Sequence, residues 1–162
     1  MPPTGGVGEI RLFCSSRFEA SALYPIIAYF ERAAGIGSED PASDKWTKLK
    51  DHLVSLLGEG ALHNARHVSL IASMLSIPLS EDDPVRTLSP QTLKRDTMAA
   101  LRALFMGCTS RAPLVIIAED LHWADPSTLE VLGAIIDLAS EYRALVLCSA
   151  REEFCLLYTS DA

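Results

Sequence analysis

Residues 113–118, PLVIIA, form an unbroken apolar run that ends in two carboxylates, Glu119 and Asp120. A run that is apolar at every position, rather than at every second one, fits a strand buried on both faces of a parallel sheet. A parallel neighbour requires a long crossover, and the sequence supplies one. Asp125 stands as the N-cap of a helix with Pro126 at its first position, and that helix is expected to run to about Tyr142. Residues Ala144–Cys148, ALVLC, then read as a second buried strand. Strand, helix and strand make a βαβ unit with a right-handed crossover, so the second half of the chain is α/β.

The first half is mostly helical. Residues 1–9, MPPTGGVGE, are rich in proline and glycine and read as irregular. Arg11 to Ser15 reads as a short strand. Pro25 suits the first turn of a helix carrying Ile26, Ile27, Phe30 and Ala33, which Gly35 and Gly37 stop. A second amphipathic helix is expected from about residue 44 to 57, with Trp46, Leu49, Leu53, Leu56 and Leu57 on its apolar face. A shorter helix spans about 65–75. The next starts after Ser89, with Pro90 at its first position, and runs to about Met106 with Leu93, Met98, Leu101, Leu104 and Phe105 as its apolar positions. Neither an internal repeat nor a low-complexity tract is visible.

Charge and composition narrow the partners. The 162 residues are 49% hydrophobic and 22% charged, a globular composition for one domain. A net charge of -7 argues against direct binding to nucleic acid or to an anionic membrane face. Cys14, Cys108, Cys148 and Cys155 are scattered without C-x-x-C pairing, and at least two lie in apolar strand-like runs where a thiol acts as a small hydrophobe. Such usage fits a reducing compartment. No signal peptide opens the chain, and no apolar run approaches bilayer length. The expected location is the cytoplasm.

The chemistry concentrates at Glu119 and Asp120. Ligands of open α/β sheets bind in the crevice beyond the carboxyl ends of the strands. One acid there can hold a hydrated Mg2+ that bridges nucleotide phosphates, and its neighbour can orient or deprotonate the attacking water. Acids also follow buried strands simply because the chain is returning to solvent, and the pattern alone leaves both readings open.

Residues 119–132, EDLHWADPSTLEVL, resemble the Walker B segment of signal-transduction ATPases with numerous domains, the STAND branch of the AAA-like P-loop NTPases. They are most similar to the ATPase regions that follow class III adenylate/guanylate cyclase domains in many bacterial proteins. Residues 14–35 resemble the segment after that family's second core strand. Residues 88–105 resemble the helix leading into Walker B, and residues 145–154, LVLCSAREEF, the next strand and its phosphate-sensing arginine. Several segments matching in order are more specific than any one of them. The resemblance implies ATP and Mg2+ as cofactors, Glu119 as the metal-associated acid, Asp120 as the acid that activates water and also neighbours the metal, and Arg151 as the sensor of the terminal phosphate. Glu152 departs from the family, which commonly has proline there. His122 and Trp123 match the pattern and are expected to pack the loop against neighbouring helices. Cys148 and Ser149 stand where small or hydroxyl residues are frequent.

The same resemblance implies a partial three-layer αβα P-loop fold over residues 10–154, with a mostly parallel sheet of three core strands and a helical insertion. In a family sheet of order 5-1-4-3-2, the chain would supply strands 2, 3 and 4, leaving strand 4 with an open edge. The loop G-x-x-x-x-G-K-S/T that wraps phosphates in backbone N–H groups does not occur in the 162 residues. The nearest echo is Gly5-Gly6-Val7-Gly8-Glu9, where Glu9 stands in place of the lysine and Ile10 in place of the hydroxyl. We therefore expect a piece of a longer gene product, inactive as an ATPase by itself. Residues 155–162, CLLYTSDA, depart from the family, resemble translated adapter sequence and read as non-native. The intact protein would be a regulatory ATP switch linked in the same polypeptide to a cyclase, a DNA-binding regulator or a helical repeat array, with nucleotide-dependent self-association. The rival is a non-catalytic scaffold that keeps the P-loop fold. His63 and His67, spaced i, i+4, lack a third ligand and read as surface histidines. No G-x-S-x-G elbow is present. The cluster Glu81-Asp82-Asp83 reads as a solvated loop.

Overall fold

The computed structural model describes residues 6–154. Three strands, β1 (Gly8–Phe13), β2 (Leu114–Glu119) and β3 (Ala144–Cys148), form one parallel sheet in the order β1-β2-β3. The apolar run at 114–118 is its central strand, paired on both sides, with Phe13 opposite Glu119 and Cys148 opposite Ala118. The strands that the family resemblance numbers 2, 3 and 4 are indeed neighbours in that order, and among the described residues β3 has an open edge.

Helices α1 (Tyr24–Ala34), α2 (Ala42–Leu57), α3 (Ala65–Met74) and α4 (Pro90–Arg111) separate β1 from β2, and α5 (Pro126–Ala139) separates β2 from β3. Each begins or ends where its chemistry dictates. Gly35 closes α1 in the left-handed region at φ 66°, where only glycine is free of a Cβ penalty. The Ser89 hydroxyl accepts from Thr92 N–H and starts α4. Helix α4 outruns its expected end at Met106 by more than a turn. Arg143 explains why, donating to the carbonyls of Thr109 and Ser110, which the helix leaves unpaired. The extended conformation of Ala112 before Pro113 then stops it. Helix α5 ends at Ala139, short of Tyr142.

The core lies between the helices and one face of the sheet. Leu12, Leu114, Ile116 and Ala118 point into it, meeting Ile26 and Phe30 of α1, Leu101 and Phe105 of α4, and Val131, Leu132 and Ile135 of α5. Each such aliphatic side chain contributes about 1.5–3 kcal/mol by leaving water. Leu49, Leu53, Leu70 and Ile71 extend the core among α2, α3 and α4.

Burial on both faces of the sheet, expected from the unbroken apolar runs, is not what these residues build. Strand β2 alternates buried and half-buried positions. Phe13 on β1 is 44% exposed, and Leu145 and Leu147 on β3 are 52% and 47% exposed. The reason is topological. Two right-handed crossovers that step in the same direction place their helices on the same face, so no described element covers the other one.

Three smaller expectations also change. Strand β1 starts at Gly8, so Gly8 and Glu9 are strand residues rather than part of an irregular segment. Gly8 and Glu9 of the glycine-rich echo, and Ile10 after it, lie in strand β1, where a phosphate loop would open a helix; Gly5 lies outside the described residues. Cys148 is exposed, whereas Cys14 and Cys108 are buried free thiols; Cys155 and the rest of 155–162 fall outside the described residues. Asp83 is not merely solvated, since it accepts from the Ser69 hydroxyl at 2.6 Å and from Val85 N–H at 2.9 Å. No helix among the described residues is long and apolar enough to cross a membrane.

Candidate functional site at the carboxyl edge of the sheet

The three strands release their chains at one edge, and the sequence-predicted residues gather there. Glu119 is the last residue of β2 and Asp120 the first beyond it. Asp120 adopts a left-handed conformation, φ 59° and ψ 44°, which is uncommon outside glycine and turns the chain abruptly. A short 3-10 turn at Leu121–Trp123 follows, closed by Trp123 N–H donating to the Asp120 carbonyl at 2.9 Å. Asp125 then caps α5. Only 3% exposed, its carboxylate accepts from Ser127 N–H and Thr128 N–H, both at 3.0 Å, and from the Thr128 hydroxyl.

The segment after β3 grips this turn. Ser149 N–H donates to the Ala118 carbonyl and the Ser149 carbonyl accepts from Leu121 N–H, both at 2.9 Å. Its hydroxyl accepts from Asp120 N–H at 3.1 Å. Two residues on, the Arg151 guanidinium lies over the Trp123 ring, 5.4 Å from its centroid. Asp120 and the segment 149–151 are thus parts of one hydrogen-bonded unit.

Glu119 is joined elsewhere. It shares the uncovered face with Arg11, whose guanidinium reaches its carboxylate at 3.5 Å while bonding Glu9 at 2.9 Å. Arg32 donates to the Arg11 carbonyl at 2.9 Å and lies over Phe13. Cys14 extends the β1–β2 ladder by donating its N–H to the Glu119 carbonyl, and its side chain is buried on the helix-covered side. Burial first, then the charges of Asp125 and Asp120, push the Cys14 thiol up to about 11, so it stays a neutral filler under the turn.

Magnesium usually keeps several waters and takes one or two protein carboxylates together with phosphate oxygens. Two adjacent acids at a strand end suit that role, and a closed cage is not needed. Among the described residues no group of three or more His, Cys, Asp or Glu could hold a metal; His63 is exposed and His67 half-buried. Three participants escaped sequence reasoning. Arg11 became visible only through the register that sets Phe13 opposite Glu119. The Ser149 clasp was signalled by a hydroxyl in the right segment, but not its partner. Trp123 touches Arg151 in addition to packing on the core.

Comparison with known proteins places this edge in context. The family model described as the AAA ATPase domain matches residues 12–147, most of the chain, with all of β2, the last two residues of β1 and all of β3 but Cys148. An uncharacterized protein of Rhizobium meliloti (strain 1021) is 34% identical over 56 residues, which cover 35% of this chain and 5% of that relative. The chain thus spans a small part of the curated relative that it matches. No solved structure matches it.

Proposed function

The chain belongs to the AAA ATPase domain family, and from that premise we propose that its carboxyl edge is the acidic half of a Mg-ATP site in a regulatory switch. Glu119 would associate with the metal, Asp120 would activate the attacking water and neighbour the metal, and Arg151 would sense the terminal phosphate. The observation that carries this reading is the clasp between Asp120 and residue 149 at the end of the central parallel strand. It joins the expected water-activating acid to the segment bearing the expected phosphate sensor, so both stand at the same edge of the sheet. A phosphate-wrapping glycine loop would complete the site from the rest of the polypeptide. Residues 10–154 would act as one partial ATPase unit. Loss of the γ-phosphate would release Arg151 and reset a linked output domain, of cyclase, DNA-binding or helical-repeat type.

The test is ATP turnover by the full-length gene product, with Asp120 replaced by Asn. Loss of a positioned general base lowers turnover by about 10²–10⁴-fold, and the expected outcome is that loss with ATP binding retained. A parent protein that binds ATP without any Mg-dependent turnover would favour the non-catalytic scaffold instead.

A further inference from the structure

Arg151, read above as the phosphate sensor, rests over the ring of Trp123. The ring centroid lies 5.4 Å from the guanidinium carbon, within the range where the negative face of an indole attracts a cation. The ring belongs to the turn that begins at Asp120, and the arginine to the segment that grips that turn through Ser149. Trp123 is half-buried against the core and stacked obliquely with His122, ring centroids 5.0 Å apart. The indole is therefore a fixed support, while Arg151 is exposed at the start of a new segment. A half-exposed cation–π contact biases a side chain only about two- to five-fold. A polyphosphate offers several formal charges and bidentate geometry, which an indole cannot match.

We propose that Trp123 is a positioning residue that docks Arg151 at rest, in competition with the terminal phosphate of a bound nucleotide. The inference rests on the reading of Arg151 as a phosphate sensor. Ser149 keeps the Asp120 turn in place when the arginine departs, because its three hydrogen bonds to Ala118, Asp120 and Leu121 do not involve Arg151. The turn then remains formed whether Arg151 is docked on the indole or engaged with phosphate. Discrimination between triphosphate and diphosphate falls to the one side chain that moves.

The test compares ATP and ADP affinities of the full-length gene product carrying Trp123→Leu, Trp123→Phe, Arg151→Ala and the double variant Trp123→Leu/Arg151→Ala. Removing the dock should tighten ATP two- to five-fold and leave ADP unchanged, with Phe restoring part of the wild-type value. A merely structural tryptophan gives no such gain, since damage to the turn weakens both nucleotides. In the Arg151→Ala background, Trp123→Leu should have no further effect on ATP, because the pair acts as a unit. Equal changes for ATP and ADP, weaker ATP binding in Trp123→Leu, or an effect that persists without Arg151 would overturn the dock and leave the ATP site standing. A wild-type protein that binds neither nucleotide would overturn both.

Discussion

Asp120 is the residue at which function and stability part. A non-glycine residue at φ 59° is held there against its preference, by neighbours that fix the turn. Substituting glycine relieves that strain, which for an aspartate is offset in part by glycine's larger entropy loss. We expect Asp120→Gly to stabilise the chain by about 0.5 kcal/mol, or a melting temperature higher by about 1–2 °C, while ATP turnover in the full-length protein is lost. Thermal unfolding and turnover measured on the same variant check it. His52 gives a prediction of a different kind. Its ring lies edge-on to Tyr29 and Phe30, and its Nε2 is buried without a hydrogen-bond partner. Burial lowers its pKa below the usual 6.5, so the folded state prefers the neutral ring while the unfolded chain takes up a proton near 6.5. The native state is unpenalised above that pH and loses stability as the pH falls below it, down to the folded pKa. Urea unfolding at pH 7.5 and 5.5 should show a smaller acid loss in His52→Leu than in the wild type. Equal losses would contradict the account of His52. The sequence marked Glu119, Asp120 and Arg151 through residue type and position, but nothing local in it told of Arg11, His52 or the docked state of Arg151. Those depend on register and on which side chains meet across distant segments.

Helix α5 was legible almost to its last turn because its start is written in local chemistry. Asp125-Pro126 provides the cap and the preset first φ. Replacing Asp125 by Ala should cost about 1–2 kcal/mol, at the upper end for a cap because the carboxylate is buried and also meets the Thr128 hydroxyl. Chemical denaturation reads this directly, and Asp125→Asn, which keeps an accepting oxygen, should retain part of it. Other boundaries turn on partners far along the chain. The extra length of α4 relies on Arg143. Gly58, which ends α2, sits at φ 83° and ψ -178° in a region open essentially to glycine. A Cβ there would stand 2.0 Å from an Arg111 nitrogen. Gly58→Ala should therefore destabilise by about 1–3 kcal/mol in the same unfolding measurement. The sequence pattern alone ends the helix near residue 57 and says nothing of that conformation.

For the whole molecule, the monotonic strand order decides which half of the sheet is covered. Apolar side chains on both faces of β2 and β3 were visible in the sequence, but composition does not say whether a covering layer lies within the same residues. Leu145 and Leu147 sit on the uncovered face, along the open edge of β3. An exposed apolar strand edge invites pairing with another chain. The 162-residue chain studied by itself should self-associate as concentration rises in sedimentation velocity, and Leu147→Lys should shift it toward the monomer. Concentration-independent monomers would show that the face is harmless as it stands. At the carboxyl ends of the same strands, we propose, the edge beyond β2 is built for a magnesium-bound nucleotide. Its most direct test is the Mg2+ dependence of ATP turnover in the full-length gene product, wild type against Glu119→Gln. The variant keeps the shape and removes the charge, and half-maximal turnover is expected to need about 10–100-fold more Mg2+. An unchanged Mg2+ dependence would contradict it.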